Sequence, residues 1–214
     1  MAEDQIMPPK RGKCKRLLDV STLFGEDDII ILKYITREEY ECVELPPGYI
    51  MVVYDDYSRK SALKSTAGTY HVETAYWMFI IRHAGRWKIP IGRPCSDSED
   101  GYSFILVVTT KRQLSPPSYD ELSEILAGTT KGVTKISCSS LEADFGMVFK
   151  EILDERYDGD IRRLRDAFKR GDFQKNLEQE LLRSRLISIR VLPYFVSLNI
   201  FNLNIVPKEK CGGG

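Results

Sequence analysis

The chain has 214 residues, of which 43% are hydrophobic and 29% charged, with 31 basic and 31 acidic side chains. That length and balance allow a sizeable buried core, in one large domain or two small ones. A net charge of zero excludes a global field steering the molecule to nucleic acid or membrane, so any such binding needs a local patch. No apolar run approaches the roughly 20 residues that span a bilayer, and no signal peptide is visible. Cys14, Cys42, Cys95, Cys138 and Cys211 are scattered without a CxxC pair, and only His71 and His83 could join them. Reduced thiols and no metal site are therefore expected.

Residues 1–16 read as a flexible arm. Lys10, Arg11, Lys13, Lys15 and Arg16 place five cations in seven positions, a pattern that binds anionic lipid, nucleic acid or an import receptor. Leu17 to Phe24 is a linking segment. Ile29–Ile35 is β-branched and short, so it reads as a buried strand, with Tyr40–Leu45 as its candidate partner. Pro46-Pro47-Gly48 is a turn feeding a third strand, Tyr49–Tyr54. Asp55-Asp56 ends it as a turn, and residues 57–68 read as loop. Tyr70–Arg82 is the longest β-like run, with apolar residues on both parities of its later half, which predicts burial on both faces. His83–Arg86 looks like a hairpin connection to Trp87–Ile91, and Pro90 marks that strand as an edge. The acidic loop with Asp97, Glu99 and Asp100 does not match a calcium-loop spacing. Tyr102–Thr110 is a further strand.

The most informative stretch follows it. Pro116-Pro117-Ser118-Tyr119 fits the PPxY ligand of WW domains in Nedd4-type ubiquitin ligases, and Leu122 suits its extended form. Paired prolines favour polyproline II geometry, which aromatic-lined WW grooves accept at low entropic cost. With 10 Pro and 11 Tyr in the chain, one such tetrapeptide arises by chance in roughly 2% of chains. A second occurs at Pro46-Pro47-Gly48-Tyr49. The same central residues also fit a purely structural role. Ser118-x-x-Glu121 is a capping box, Leu122, Ile125 and Leu126 follow at helical spacing, and Gly128 makes a stop.

The second half is largely helical. Val133–Cys138 reads as a strand and Ser139-x-x-Glu142 as another capping box. Phe145, Val148, Phe149, Ile152 and Leu153 give a strong amphipathic helix that Asp158-Gly159 ends. Ile161, Leu164 and Phe168 mark a second helix, Gly171 a break or bend, and Phe173, Leu177, Leu181 and Leu182 a third. Arg162, Arg163, Arg165, Lys169 and Arg170 interleave with aspartates, as on a salt-bridged solvent face. Ile187–Val191 and Phe201–Ile205 alternate as two strands separated by Pro193-Tyr194, expected to rejoin the N-terminal sheet.

The expected fold is α+β: an antiparallel sheet from the N-terminal half and the C-terminal strands, packed with three to four helices from residues 118–185. Residues 17–207 are read as one globular domain between the arm and a flexible tail, 208–214. No Walker A loop, GxGxxG, GxSxG or HExxH motif is present, so no catalytic residue or cofactor is assigned and a non-enzymatic protein is expected.

The basic arm, the PPxY elements and the chain length together resemble the layout of matrix proteins of rhabdoviruses and other negative-strand RNA viruses. The resemblance implies that Lys10, Arg11, Lys13, Lys15 and Arg16 contact anionic membrane. It implies that Pro116, Pro117, Tyr119 and Leu122 bind a WW domain, with Pro46, Pro47 and Tyr49 as a second candidate site. It also implies self-association for assembly and budding, a viral nucleocapsid as a further partner, and residence in the virion and host cytoplasm at the inner membrane surface, with the nucleus as another option. One departure is that family PPxY motifs usually lie in the N-terminal part, whereas this one is central. Alternatives are a PPxY-bearing adaptor with no membrane role, a nucleic-acid-binding regulator using the arm and the 162–170 arginines, and an enzyme without a recognisable motif.

Overall fold

The computed structural model describes residues 6–9, 12–96, 98–127 and 131–210. Lys10, Arg11, Asp97, Gly128, Cys211 and residues 212–214 lie outside that set. The strands are β1 (Leu17–Asp19), β2 (Asp28–Ile35), β3 (Cys42–Leu45), β4 (Tyr49–Asp55), β5 (Ser61–Lys64), β6 (Gly68–His71), β7 (Tyr76–Arg82), β8 (Arg86–Arg93), β9 (Gly101–Thr110), β10 (Val133–Ser137) and β11 (Val196–Val206). The helices are α1 (Tyr119–Ile125), α2 (Cys138–Tyr157), α3 (Ile161–Lys169), α4 (Asp172–Leu182), α5 (Ile187–Arg190) and α6 (Leu192–Phe195). The α+β class read from the sequence is the one observed, with nearly all strand pairs antiparallel. The chain groups into two compact units, residues 1–85 with 112–137, and residues 86–111 with 138–214.

The first unit contains a five-stranded antiparallel sheet in the order β10-β2-β7-β4-β5 and a three-stranded sheet in the order β1-β3-β6. β7 is the middle strand, and all but its last residue are buried, its residues of both parities from Tyr76 to Ile81 being aromatic or aliphatic. Ile31, Ile80 and Met51 align across β2, β7 and β4, and Ile35 aligns with Tyr76 across β2 and β7. Ile35, Met51, Val53, Tyr76, Met78 and Ile80 belong to one core that also takes in Ile6, Met7, Val20, Val43 and Val72. Residues of the other parity, including Ile30, Leu32, Val52, Tyr54 and Phe79, are buried as well. A sheet buried on both faces reads as a continuous apolar run, which is why β2, β4 and β7 stand out in the sequence.

The second unit is built on the antiparallel sheet β11-β9-β8, with Pro90 on the edge strand β8 as expected. Phe104 of β9 lies 4.6 Å, centroid to centroid, from Phe149 of α2, and Phe149 lies 5.9 Å from Phe173 of α4. Each such aromatic pair contributes about 0.5–1.5 kcal/mol beyond its area burial. Asp158 and Gly159, both with positive φ, end α2, and Gly171 with φ 78° separates α3 from α4. The apolar residues read at helical spacing in the three helices are buried, except Phe168 and Leu182, which are half-buried.

Several local expectations are corrected. β3 pairs with β1 and β6, not with β2. Residues 57–68 are not all loop, since β5 pairs with β4. The long run from Tyr70 is split into β6 and β7. The residues at 83–85 do not close a hairpin, because β8 pairs with β9. α2 begins at Cys138, which puts Ser139 inside the helix instead of at its cap. Ile187–Val191 is not a strand: residues 187–190 and 192–195 form two helical turns, with Pro193 near the start of the second. β11 exists as expected, but joins β9 in a sheet of its own unit. Cys14 and Cys42 are not thiols; they form a disulfide, and Cys95 is also disulfide-bonded.

Candidate functional site

Residues 111–118 of the central stretch adopt neither helix nor strand, as two prolines dictate. Ser118 then caps α1. Its hydroxyl accepts from the Glu121 backbone N–H at 3.3 Å, and the Glu121 carboxylate accepts from the Ser118 N–H at 2.7 Å. The capping box predicted from Ser118-x-x-Glu121 is thus present in full. It sets the direction of the next side chain, Tyr119.

The Tyr119 hydroxyl donates to Oδ1 of Asp56 at 2.7 Å. The other oxygen of that carboxylate, Oδ2, accepts from the Tyr34 hydroxyl at 3.0 Å. Lys131 Nζ donates to Tyr34 Oη at 2.9 Å, lies 4.1 Å from the centroid of that ring, and lies 3.6 Å from Asp56 Oδ2. The Arg59 guanidinium sits 6.0 Å above the Tyr119 ring. Three side chains from three separate segments, Tyr34, Tyr119 and Lys131, therefore converge on one carboxylate, with Arg59 over the Tyr119 ring. The sequence marked Asp55-Asp56 only as a turn. Asp55 does serve the turn, accepting from the Tyr57 N–H and the Ser58 hydroxyl, which frees Asp56 for the cluster.

The electrostatics follow from that geometry. Burial pushes the Asp56 carboxyl upward, but hydrogen bonds from Tyr119 and Tyr34 and the charge of Lys131 outweigh it and hold it below the usual carboxylate range. The Tyr119 phenol is pushed up to about 12, first by burial and then by the Asp56 carboxylate that accepts its proton. The Lys131 ammonium is raised, chiefly by its hydrogen bond to Tyr34.

The other motif residues are distributed as follows. Pro116 is half-buried, while Pro117 and Leu122 are buried. The Pro117 carbonyl accepts from the Tyr54 hydroxyl at 2.9 Å. Pro46 and Tyr49 are half-buried and Pro47 is exposed at the turn into β4, where Gly48 takes φ 89° and the Tyr49 ring stacks 4.9 Å from Phe24. No part of the second motif joins the Asp56 cluster. In the basic segment, Lys13 and Lys15 are exposed. Arg16 is engaged, donating to the Glu38 carbonyl at 2.8 Å and lying 3.6 Å from Glu41. The Cys14–Cys42 disulfide fastens this segment to β3.

No protein-family model matches the chain, and no characterised protein matches it in sequence.

Among the described residues, no group of three or more His, Cys, Asp or Glu side chains could hold a metal ion. His71 Nδ1 lies 2.9 Å from the Glu41 carbonyl, a structural role, and His83 is exposed at a turn. No described helix is long and apolar enough to cross a membrane. Three of the four arginines at 162–170 pair with aspartates, Arg162 with Asp100, Arg163 with Asp158 and Asp160, and Arg170 with Asp172, whereas Arg165 Nε is buried without a hydrogen-bond partner among the described residues.

Proposed function

We propose that the chain is a non-enzymatic, matrix-like interaction protein whose central PPxY is a latched ligand for WW domains of Nedd4-type ligases. In this reading it self-associates, and it touches anionic membrane through the basic N-terminal segment. The observation that supports the latch is the seat of Tyr119 on Asp56, next to a Pro116-Pro117 run that lies in no strand or helix. The Tyr119 ring is held by side-chain contacts at the first residue of a helix of only seven residues, and such contacts are cheap to break compared with a sheet ladder. A ligand presented only by a minor open state binds with its affinity reduced by the open fraction.

Titration of a Nedd4-type WW domain into the protein tests this. The wild type should bind weakly, Asp56→Ala about tenfold more tightly because the latch is weakened, and Tyr119→Ala not at all. Equal binding by wild type and Asp56→Ala would remove the latch, and no binding by either would remove the WW reading. The membrane half is tested by flotation with anionic liposomes, where each exposed cation near the surface contributes about 1 kcal/mol. Neutralising Lys13 and Lys15 together should weaken salt-sensitive flotation.

A second reading, favoured by the burial of Pro117 and Leu122, makes the same stretch a structural clasp with no ligand role. It predicts that Asp56→Ala lowers stability without creating WW affinity.

A further inference from the structure

One surface of the second unit combines an apolar floor with two rims of opposite charge. A groove of about 620 Å³ runs along α2 beside the end of α4 and the segment that follows it. Val148 and Ile152 line its floor with Leu186, and Met147, 52% exposed, stands beside them. One rim is acidic. Glu151 and Glu155, one helical turn apart on α2, are exposed. The other rim is basic, with Arg183 and Arg185 exposed beyond α4. Among the described residues, Glu151, Glu155 and Arg185 have no ion-pair partner, whereas Arg183 lies 3.7 Å from Glu180, a carboxylate that Arg156 already holds at 2.7 Å.

A like-charged pair one turn apart on a helix is mildly destabilising by itself. Its counterpart is the basic rim across the groove, where Arg185 has no ion-pair partner among the described residues and Arg183 shares Glu180 with Arg156. Met147, exposed one turn before Glu151 on the same side of α2, is costly in water and adaptable in contact. A partner for this surface must therefore present an apolar centre, a basic edge against Glu151 and Glu155, and an acidic edge against Arg183 and Arg185. The surface itself meets that description once it is turned over.

We propose that this groove is a self-association surface occupied by a second copy of the chain, related by a two-fold axis running along the groove. Rotation about that axis exchanges the rims, so Glu151 and Glu155 of each copy face Arg183 and Arg185 of the other. A two-fold axis across the groove would instead set acid against acid, and the charges reject it. The surface is isologous, as in most homodimers. Self-association is part of the function proposed above, and this surface gives it a place, while the latch at Tyr119 is independent of it.

Sedimentation of the full chain tests the surface. The wild type should be dimeric at micromolar concentration. Glu151→Arg with Glu155→Arg, and separately Arg183→Glu with Arg185→Glu, should each weaken the dimer at least about tenfold through like-charge contact. The quadruple variant with both rims exchanged should recover it, and so should an equimolar mixture of the two charge-reversed doubles. Failure of both to recover the dimer would overturn the arrangement even if the doubles were monomeric, because loss without rescue means misfolding or a different surface. A monomeric wild type would also overturn it. WW-domain titration of the monomeric doubles separates the two ideas: unchanged WW binding beside a failed rescue leaves the latch standing and removes this surface.

Discussion

Tyr119 Oη and Asp56 Oδ1 lie 2.7 Å apart although 63 residues separate them in sequence. The contact joins the start of a short helix to the turn after β4, and it holds the Tyr119 hydroxyl in place. Its first measurable consequence is a titration. The Tyr119 phenol should ionise near 12 in the folded protein. In Asp56→Ala the value should fall but stay above that of a free tyrosine, about 10, since burial, the larger cause, remains. Tyrosine ring signals followed by NMR against pH would show it.

The same contact makes stability depend on pH at two ends. Tyr119 has a raised folded value, so its contribution is complete below the unfolded value of about 10 and is lost as pH rises through about 12. Asp56 has a lowered folded value, so its contribution is present above the ordinary carboxylate value and is lost as pH falls through the folded one. At neutral pH both are intact. Tyr119→Phe should then cost about 1.5–3 kcal/mol, the range for a hydrogen bond to a charged group. The double variant with Asp56→Ala should cost less than the sum of the singles. Urea unfolding of the four proteins measures the coupling, and strict additivity would deny that the two groups act together.

Much of the fold could be read from the chain, for identifiable reasons. β7 shows as apolar on both parities because both its faces are buried, and α2 shows as a helix because Phe145, Val148, Phe149, Ile152 and Leu153 repeat at its period. Ser118 and Glu121 form their capping box because that motif is local. Ile187, Ile189 and Val191 mislead because three apolar residues at alternate positions of a five-residue stretch fit a strand and a single helical turn alike. Burial of Ile189, Val191 and Leu192 together, with Pro193 near a helix start, settles it as helix. The Asp56 cluster was illegible. Its members sit at 34, 56, 59, 119 and 131, and only tertiary structure brings them together. The disulfide was missed for the same reason, since a separation of 28 residues carries no spacing signal.

The cap should matter more than its exposure implies. α1 has only 7 residues, too few to hold a helix by propensity alone. Ser118→Ala removes the acceptor for the Glu121 N–H and should cost about 1 kcal/mol. It should also raise WW affinity, because the turn that aims Tyr119 at Asp56 is loosened. Amide exchange at Glu121 and Leu122 would report the local opening directly. Faster exchange there, with the β7 amides unchanged, is the expected pattern. Uniform acceleration would mean global destabilisation instead.

The disulfide predicts how the basic segment responds to redox conditions. Cys14 lies beside Lys13 and Lys15, and its bond to Cys42 fastens them to β3. Closing a loop of this length in the unfolded chain is worth about 3–4 kcal/mol. Reduction should lower stability by up to that amount. It should not release the segment wholly, because the Arg16 carbonyl still accepts from the Glu41 and Cys42 N–H groups and Ile6 and Met7 remain buried. Such bonds persist in oxidising compartments, whereas the cytosol keeps thiols reduced. Thiol labelling with mass spectrometry, on protein from cells lysed under alkylating conditions, would give the state of Cys14. A fully alkylated Cys14 would mean that the working form carries the segment on its hydrogen bonds and buried anchors alone. Liposome flotation should then be stronger without reductant-sensitive change, whereas a bonded Cys14 makes flotation rise on reduction.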